Sequence, residues 1–266
     1  SRFSGVHGPL SISLFDNSCY TFDMKVLEVP RRPDFIHHQR SPILDVMREI
    51  VFGAEDGMVS TVGSLTGIAA ATSNPFTVIL AGFVIVAVES ISMGVGAYLS
   101  TKSASEVDQR KLAEERLELE KYPEAELQEL VEMYIKDGWP ADTARHMADV
   151  ASRNKDLFLK EMAYRELGID EDRPENAAKA GLFMFISYVI GGAIPMLPYL
   201  FLPVGTAIMT SLVVTFMGLF TLGALTTKFT KRSWWKAGLE MLGVASVAAV
   251  VGYVIGQAAD RYLSLP

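Results

Sequence analysis

Residues 44–71 read LDVMREIVFGAEDGMVSTVGSLTGIAAA. The run is long enough for a helix to cross the roughly 30 Å hydrocarbon core of a bilayer, which takes about 20 residues, and it nevertheless carries Glu49, Glu55 and Asp56. An ionised carboxylate near the bilayer centre costs roughly 2.5–3.5 kcal/mol on insertion scales, so acids at that depth face a bundle interior or an aqueous cavity and mark ion or proton paths. Glu49 and Asp56 are seven residues apart, about two helical turns, and share one face of a helix, with Glu55 about 100° away from Asp56. Along or near that face run Gly53-xxx-Gly57 and Gly63-xxx-Gly67, small-residue spacings that let another helix approach closely within lipid. The plainer alternative is a first span whose acids sit among headgroups. That alternative suits Glu49 better than Asp56, which has apolar residues on both sides.

Outward from this stretch, composition points the same way. The 266 residues are 50% hydrophobic although they include 24 basic and 31 acidic side chains, and the mean hydropathy is +0.25. Such a balance requires long apolar runs to alternate with a strongly charged block, the pattern of a membrane protein with a soluble insert. A net charge of −7 argues against nucleic acid as a partner, because neutralising phosphates needs a basic surface. One cysteine, Cys19, excludes an internal disulfide framework and a Cys-based zinc site.

Before the first span, residues 1–40 hold turn formers, scattered apolar positions and the cluster Arg31, Arg32, His37, His38 and Arg40. The segment lacks the 7–15-residue apolar core of a secretory signal and is expected to be a soluble extension. His37 and His38 offer metal-ligand chemistry, but adjacent histidines point in different directions on a helix, which favours a solvated juxtamembrane segment. After the first span, Thr72-Ser73-Asn74-Pro75 reads as an uncharged turn, and residues 76–100 form a second apolar run interrupted only by Glu89. Glu89 and Met93 are i and i+4 and stack on one helical face. A carboxylate with a thioether suits a borderline divalent metal such as Fe²⁺ and discriminates against Mg²⁺ and Ca²⁺; ordinary packing of Met93 beside a paired Glu89 is the alternative.

Residues 102–175 change character, with 20 acidic and 12 basic residues. Helices are expected over 105–121, Pro123–Lys136 with its early proline, 142–152 and 154–167, the last stopped by Gly168. Glu115 and Glu118, like Glu126 and Glu129, are i and i+3, and Met162 and Glu166 are i and i+4, so each pair shares a face. Such faces are either solvated or metal-ligating. Three apolar runs close the chain, near 177–197, 204–227 and 237–259, each long enough to span. Pro195, Pro198 and Pro203 are expected to break the helix between the third and fourth runs, whereas Lys228, Lys231, Arg232 and Lys236 fill the next connection. Counting Lys and Arg near span ends places the amino terminus, the charged block and this basic loop in the cytoplasm. The expected architecture is an all-α membrane protein of five transmembrane helices. It divides into an amino-terminal extension (1–41), spans one and two (42–101), a cytoplasmic helical insert (102–176) and spans three to five (177–266).

The runs REIVFGAEDGMVS from Arg48, ISMGVGAYLSTKS from Ile91 and SYVIGGAIPMLPY from Ser187, together with the acidic helices between them, resemble the vacuolar iron transporter family over residues 42–261. The resemblance implies a homodimer of five-span subunits that exports Fe²⁺ from the cytosol in exchange for protons, with Mn²⁺ and Zn²⁺ as further candidate ions. Ions would pass between the first spans of the two subunits, fed by a metal-binding helical insert. It implies no enzyme activity and no cofactor beyond the transported and regulatory metal, and it places the chain in a vacuolar or plasma membrane in contact with lipid. Carried onto matching positions, Asp56 and Met93 correspond to the family's intramembrane site and Glu49 to an acid nearer the cytoplasmic mouth. Glu115, Glu118, Glu126, Glu129, Met162 and Glu166 correspond to its cytoplasmic ligands. Two positions depart from the family. The second-span acid of plant-type members falls at Ile85, with Glu89 one turn later, and Glu55 stands where a small polar residue is usual, so the intramembrane site is expected to be rebuilt around Glu89.

Two other classes compete. A di-iron oxidase or ferritin-like bundle uses Glu-x-x-His pairs, and His146, the only histidine after the first span, has Thr143 three residues before it. A non-transporting membrane sensor or scaffold would bind metal without moving it.

Overall fold

The computed structural model describes residues 44–72, 74–170 and 176–263, and the extension with His37 and His38 lies outside them. Among the described residues there is no strand. After one 3-10 turn at Leu44–Val46, eight helices follow: α1 Met47–Ala71, α2 Pro75–Lys121, α3 Pro123–Lys136, α4 Ala141–Ser152, α5 Lys155–Arg165, α6 Ala177–Phe201, α7 Val204–Thr230 and α8 Trp234–Leu263. Their starts carry the caps the sequence supplies. Asn74 accepts from the backbone N–H of Phe76 at 3.0 Å ahead of Pro75, Asn154 accepts from Asp156 at 3.0 Å, and Asn176 accepts from Lys179 at 3.0 Å, each satisfying an amide that the helix itself cannot. Gly138 and Gly168 adopt positive φ, +101° and +69°, where the chain leaves α3 and follows α5.

Two boundaries differ from the sequence expectation. Residues 105–121 are not a separate helix but the continuation of α2, which runs unbroken for 47 residues, about 70 Å at 1.5 Å per residue. The shift from apolar to Glu/Arg-rich composition near Thr101 is a change of surroundings, and nothing between Ala97 and Lys121 opposes helix: the segment has no glycine or proline. Likewise Pro195 and Pro198 do not break the chain; both lie inside α6, and only Pro203 caps the next helix. Membrane helices tolerate proline inside a packed bundle, and here the Ser211 hydroxyl of α7 ties the proline-bearing turn to its neighbour by donating to the Pro195 carbonyl at 2.7 Å.

Four helices, α2, α6, α7 and α8, are long and apolar enough to cross a membrane, and their outer surfaces expose Phe76, Val88, Ile91, Met209, Val250 and Val254. Helix α1 packs against all four. It lies parallel to α6 and α8, since Gly53 and Gly57 meet residues 184–192 while Gly63 and Gly67 meet residues 248–252. It is antiparallel to α2, whose Gly82 meets Leu65. The expected close approach at the two small-residue motifs is therefore made within the chain. A Cβ at Gly67 would lie 2.6 Å from the Gly252 carbonyl oxygen, a separation that leaves room for nothing larger than hydrogen. Beyond the bundle, the end of α2 with α3, α4 and α5 encloses a second core of Leu130, Tyr134, Ala144, Ala148, Phe158 and Met162.

Candidate metal centres

The charged insert gathers carboxylates from three elements. Glu115 comes from α2, Glu126 from the first turn of α3, and Glu166 from the residue that ends α5; one oxygen of each lies within 4.8 Å of the others. Glu115 is 2% exposed and Glu126 8%. Burial, then the charges of Glu166 and Glu126, push the Glu115 carboxyl up to about 8, and its hydrogen bond to Glu166 and the charge of Glu118 add to this. Glu126 is raised by burial and then by Glu129, Glu118 and Glu166. Glu166 is raised by burial and then by Glu129, while the hydrogen bond from Glu115 opposes the rise. One Glu115 oxygen, Oε1, has no hydrogen-bond partner among the described residues, so the set fits a small hard cation with an oxygen to spare.

Glu166 is held in place by its neighbours. Tyr134 on α3 donates to Glu161 at 3.0 Å, Arg165 binds Glu161 at 3.0 Å and also Asp137, and the Arg165 guanidinium lies 4.3 Å from the Tyr134 ring centre. These contacts pin the end of α5 to α3 and keep the residue after Arg165 beside Glu126. Met162, one turn before Glu166, is fully buried in the insert's apolar core. Glu118 and Glu129 are exposed but near enough for their charges to act on the buried pair.

The membrane bundle holds a second group. Asp56 on α1 and Glu89 on α2 are both half-buried and near enough for their charges to act on each other. Glu89 accepts a hydrogen bond from the fully buried Tyr188 hydroxyl of α6, which also meets the Ser60 hydroxyl of α1 at 2.5 Å. Close helix contact makes this possible: a Cβ at Gly57 would fall 2.5 Å from the Tyr188 carbonyl oxygen and 2.9 Å from the Gly192 nitrogen. Met93 is half-buried one turn from Glu89 toward the insert, and Ile85 is half-buried one turn the other way. Glu49 is 3% exposed and ion-paired with Arg48 at 2.8 Å. Glu55 lies within reach of the charges of Asp56 and of Glu240 on α8, and Glu240 in turn accepts from Arg232 at 3.3 Å.

Residues 47–257 match the sequence pattern of the VIT family. The chain belongs to the VIT family. Among its relatives, Vacuolar iron transporter 1 of Eucalyptus grandis is 28% identical over 80% of this chain and 86% of its own length. Vacuolar iron transporter 1 of Oryza sativa subsp. japonica is 30% identical over 80% and 85%, and Vacuolar iron transporter of Plasmodium falciparum is 30% identical over 80% and 81%. As a VIT-family member the chain is a membrane transporter and not an enzyme.

Of the ten residues singled out from the sequence of this VIT-family chain, the structure brings Glu115, Glu126 and Glu166 together, with Glu118 and Glu129 around them, and sets Asp56 opposite Glu89. It places Met162 in a packed core and Glu49 in an ion pair with Arg48. Sequence reasoning missed Tyr188, Ser60 and Glu240. Tyr188 stands within SYVIGG, where a hydroxyl in an apolar run was the available signal. Glu240, six residues after the start of α8, was hidden by its closeness to the basic loop.

Proposed function

We propose that this protein moves divalent metal, Fe²⁺ or Mn²⁺, out of the cytosol by exchanging it for protons, working as a homodimer in a vacuolar membrane. The observation that carries the reading is the Asp56–Glu89 pair, two half-buried carboxylates near enough for their charges to act on each other in a bundle with four helices long enough to cross a bilayer. Carboxylates in a dry interior need counter-charge, and either a divalent cation or protons supply it. A site that takes one or the other is an exchanger. The iron specificity and the vacuolar membrane follow the names of the relatives.

Helix α1 is the fifth crossing in this reading. Its 25 residues extend about 37 Å, and it runs alongside four apolar helices that shield it from lipid. The open side of α1, with Phe52 49% exposed next to Glu55 and Asp56, is then the face presented to the second subunit. Lys228, Lys231, Arg232 and Lys236 lie at the α7–α8 turn, on the same side as the starts of α1 and α6, which makes that side cytoplasmic and the insert a collector of cytosolic metal.

The test is metal uptake into sealed proteoliposomes carrying an internal pH dye, with Fe²⁺ and Mn²⁺ supplied outside under an imposed pH gradient. Metal entry accompanied by proton exit is the expected result. Metal that binds without entering would make the protein a sensor, and entry without proton movement would leave a uniporter.

A further inference from the structure

Many hydroxyls of the membrane helices are satisfied locally: Ser90, Thr210, Thr221 and Ser246 donate to the carbonyl three or four residues back, the usual arrangement where no water is at hand. Thr61, Thr66 and Thr215 are different. Each is at most 2% exposed, yet its hydroxyl meets no hydrogen-bond partner among the described residues. The Tyr199 hydroxyl, in a residue 3% exposed, shares this condition. It faces Thr66 and Ser211 without closing a well-formed bond to either, and Ser211 gives its proton to the Pro195 carbonyl.

These groups form a stair. Measured at 1.5 Å per residue from the helix ends away from the insert, Thr66 and Ser211 lie about 8–11 Å deep, Thr61 and Thr215 about 15–17 Å, and Ser60 and Tyr188 about 17–20 Å. Thr61 sits against Gly192 of α6 and beside Val86 of α2, Thr66 of α1 and Ser211 of α7 flank the Tyr199 hydroxyl of α6, and Ser211 and Thr215 fall one turn apart on the buried stripe of α7. The upper step is the Ser60–Tyr188 pair that bonds Glu89.

We propose that this stair is a hydrated proton route inside each subunit, joining the Ser60–Tyr188 pair to the membrane face opposite the insert through Thr61, Thr215, Thr66, Tyr199 and Ser211. Buried hydroxyls without partners are costly, and the partner whose size and donor–acceptor pattern suits them is internal water, which bonds to about three otherwise unsatisfied groups. A metal ion is excluded by the same chemistry, because this set of neutral hydroxyls brings no charge to offset a cation. Pro195 and Pro198 lack the amides that would bond the Gly191 and Ile194 carbonyls, which adds acceptors on the same helix. Along such a file each oxygen accepts a proton from one side and releases its own to the other. Each passage leaves the O–H bonds of the file reversed, and they turn back before the next proton, so no atom is gained or lost while the proton passes between water at the far face and the carboxylates. Metal, on the open face of α1, and protons, in the α1–α6–α7 seam, then travel by different paths.

The inference rests on the exchange reading above and is tested in the full-length protein in proteoliposomes with Mn²⁺ as the probe. Two modes are compared: uptake driven by a pH gradient, and exchange of labelled for unlabelled Mn²⁺ at equal pH. The combined Thr66→Val and Tyr199→Phe protein, which keeps side-chain shape and removes two hydroxyls, is expected to lose about tenfold or more of the pH-driven rate and to retain exchange. Thr66→Ser, which restores a hydroxyl, is expected to behave as wild type. Undiminished pH-driven uptake in the double variant would overturn the route, and so would an equal loss in both modes, which marks a structural role. A wild-type protein indifferent to the pH gradient would instead bring down the exchange reading and the route with it.

Discussion

Replacing Glu115 by glutamine removes an acid from the crowded carboxylate cluster while keeping its shape, and the consequences for stability and for metal binding have opposite signs. The Glu115 carboxyl stands at about 8 against an ordinary 4.5, a difference that corresponds to roughly 5 kcal/mol at 1.36 kcal/mol per decade. Because the cluster is open to water on the side of the exposed Glu166, screening reduces the expected effect to about 1–2 kcal/mol. Its pH window follows from the sign. The folded protein holds a proton that the unfolded chain releases, so the stabilisation is complete below about pH 4.5 and is lost as pH rises through about 8. In the absence of metal, Glu115→Gln and wild type should melt together near pH 5, and at pH 8.5 the variant should be the more stable by roughly 2–8 °C, taking about 2–4 °C per kcal/mol. Metal works against this difference and offsets most or all of it. At a hundred times the dissociation constant a bound ion stabilises wild type by about 2.7 kcal/mol, and a tenfold weaker site gains only about 1.4 kcal/mol at the same concentration. Thermal melts of the purified full-length protein at pH 5 and 8.5, with and without Mn²⁺, read both effects. A variant less stable than wild type at pH 8.5 without metal, yet with an undiminished shift on adding Mn²⁺, would refute the view of Glu115 as a strained ligand.

Asp56→Asn keeps the side-chain shape but loses the charge, and uptake by proteoliposomes should fall to the level of empty vesicles while size-exclusion profiles stay unchanged. Glu89→Gln should impair uptake much more than Met93→Leu, because Glu89 opposes Asp56 and is held by Tyr188; equal rates for the two variants would leave Glu89 a structural residue. Gly57→Ala drives a methyl toward the Tyr188 carbonyl oxygen at 2.5 Å and should cost about 1–3 kcal/mol, visible as a lowered melting temperature.

The sequence made α1 conspicuous through its acids, and for the same reason a hydropathy criterion passes it over: Gly, Ser and Thr lower its apolar content. A helix packed against four others has little need of lipid-like side chains, and small residues are what close packing demands. Helix starts were legible because Asn74, Asn154 and Asn176 are local signals. The pairs Glu115/Glu118 and Glu126/Glu129 were legible as shared faces, but their convergence with Glu166 depends on the α2–α3 turn at Tyr122 and on the Tyr134–Glu161–Arg165 clamp, which no periodicity contains. Tyr188 was invisible as a partner of Glu89 for a similar reason. The two are 99 residues apart, and the bond depends on the register between α2 and α6. The continuity of α2 was missed because composition reports environment, whereas backbone conformation across Thr101 is set by the absence of any breaker.

That continuity constrains how the two acidic centres can influence each other. Glu89 and Glu115 stand on one helix, 26 residues apart by sequence number, about 39 Å along the axis. Charges at a wet surface are screened within about 8 Å at physiological salt, so an ion among Glu115, Glu126 and Glu166 cannot act on Asp56 and Glu89 through its field. What remains is the helix itself. Its membrane half is gripped by α6 where Gly94 meets Phe185 and Gly181, and its outer half carries Glu115, whose carboxylate repels those of α3 and α5 until protons or metal offset the charge. On the proposed function, neutralising the cluster would draw α3 and α5 onto the end of a rod whose other half holds Glu89 in place, so metal captured in the insert would act on the membrane centre by steadying the position of α2. Binding at the surface and carriage through the membrane would then be linked mechanically, with the uninterrupted backbone between Ala97 and Lys121 as the link.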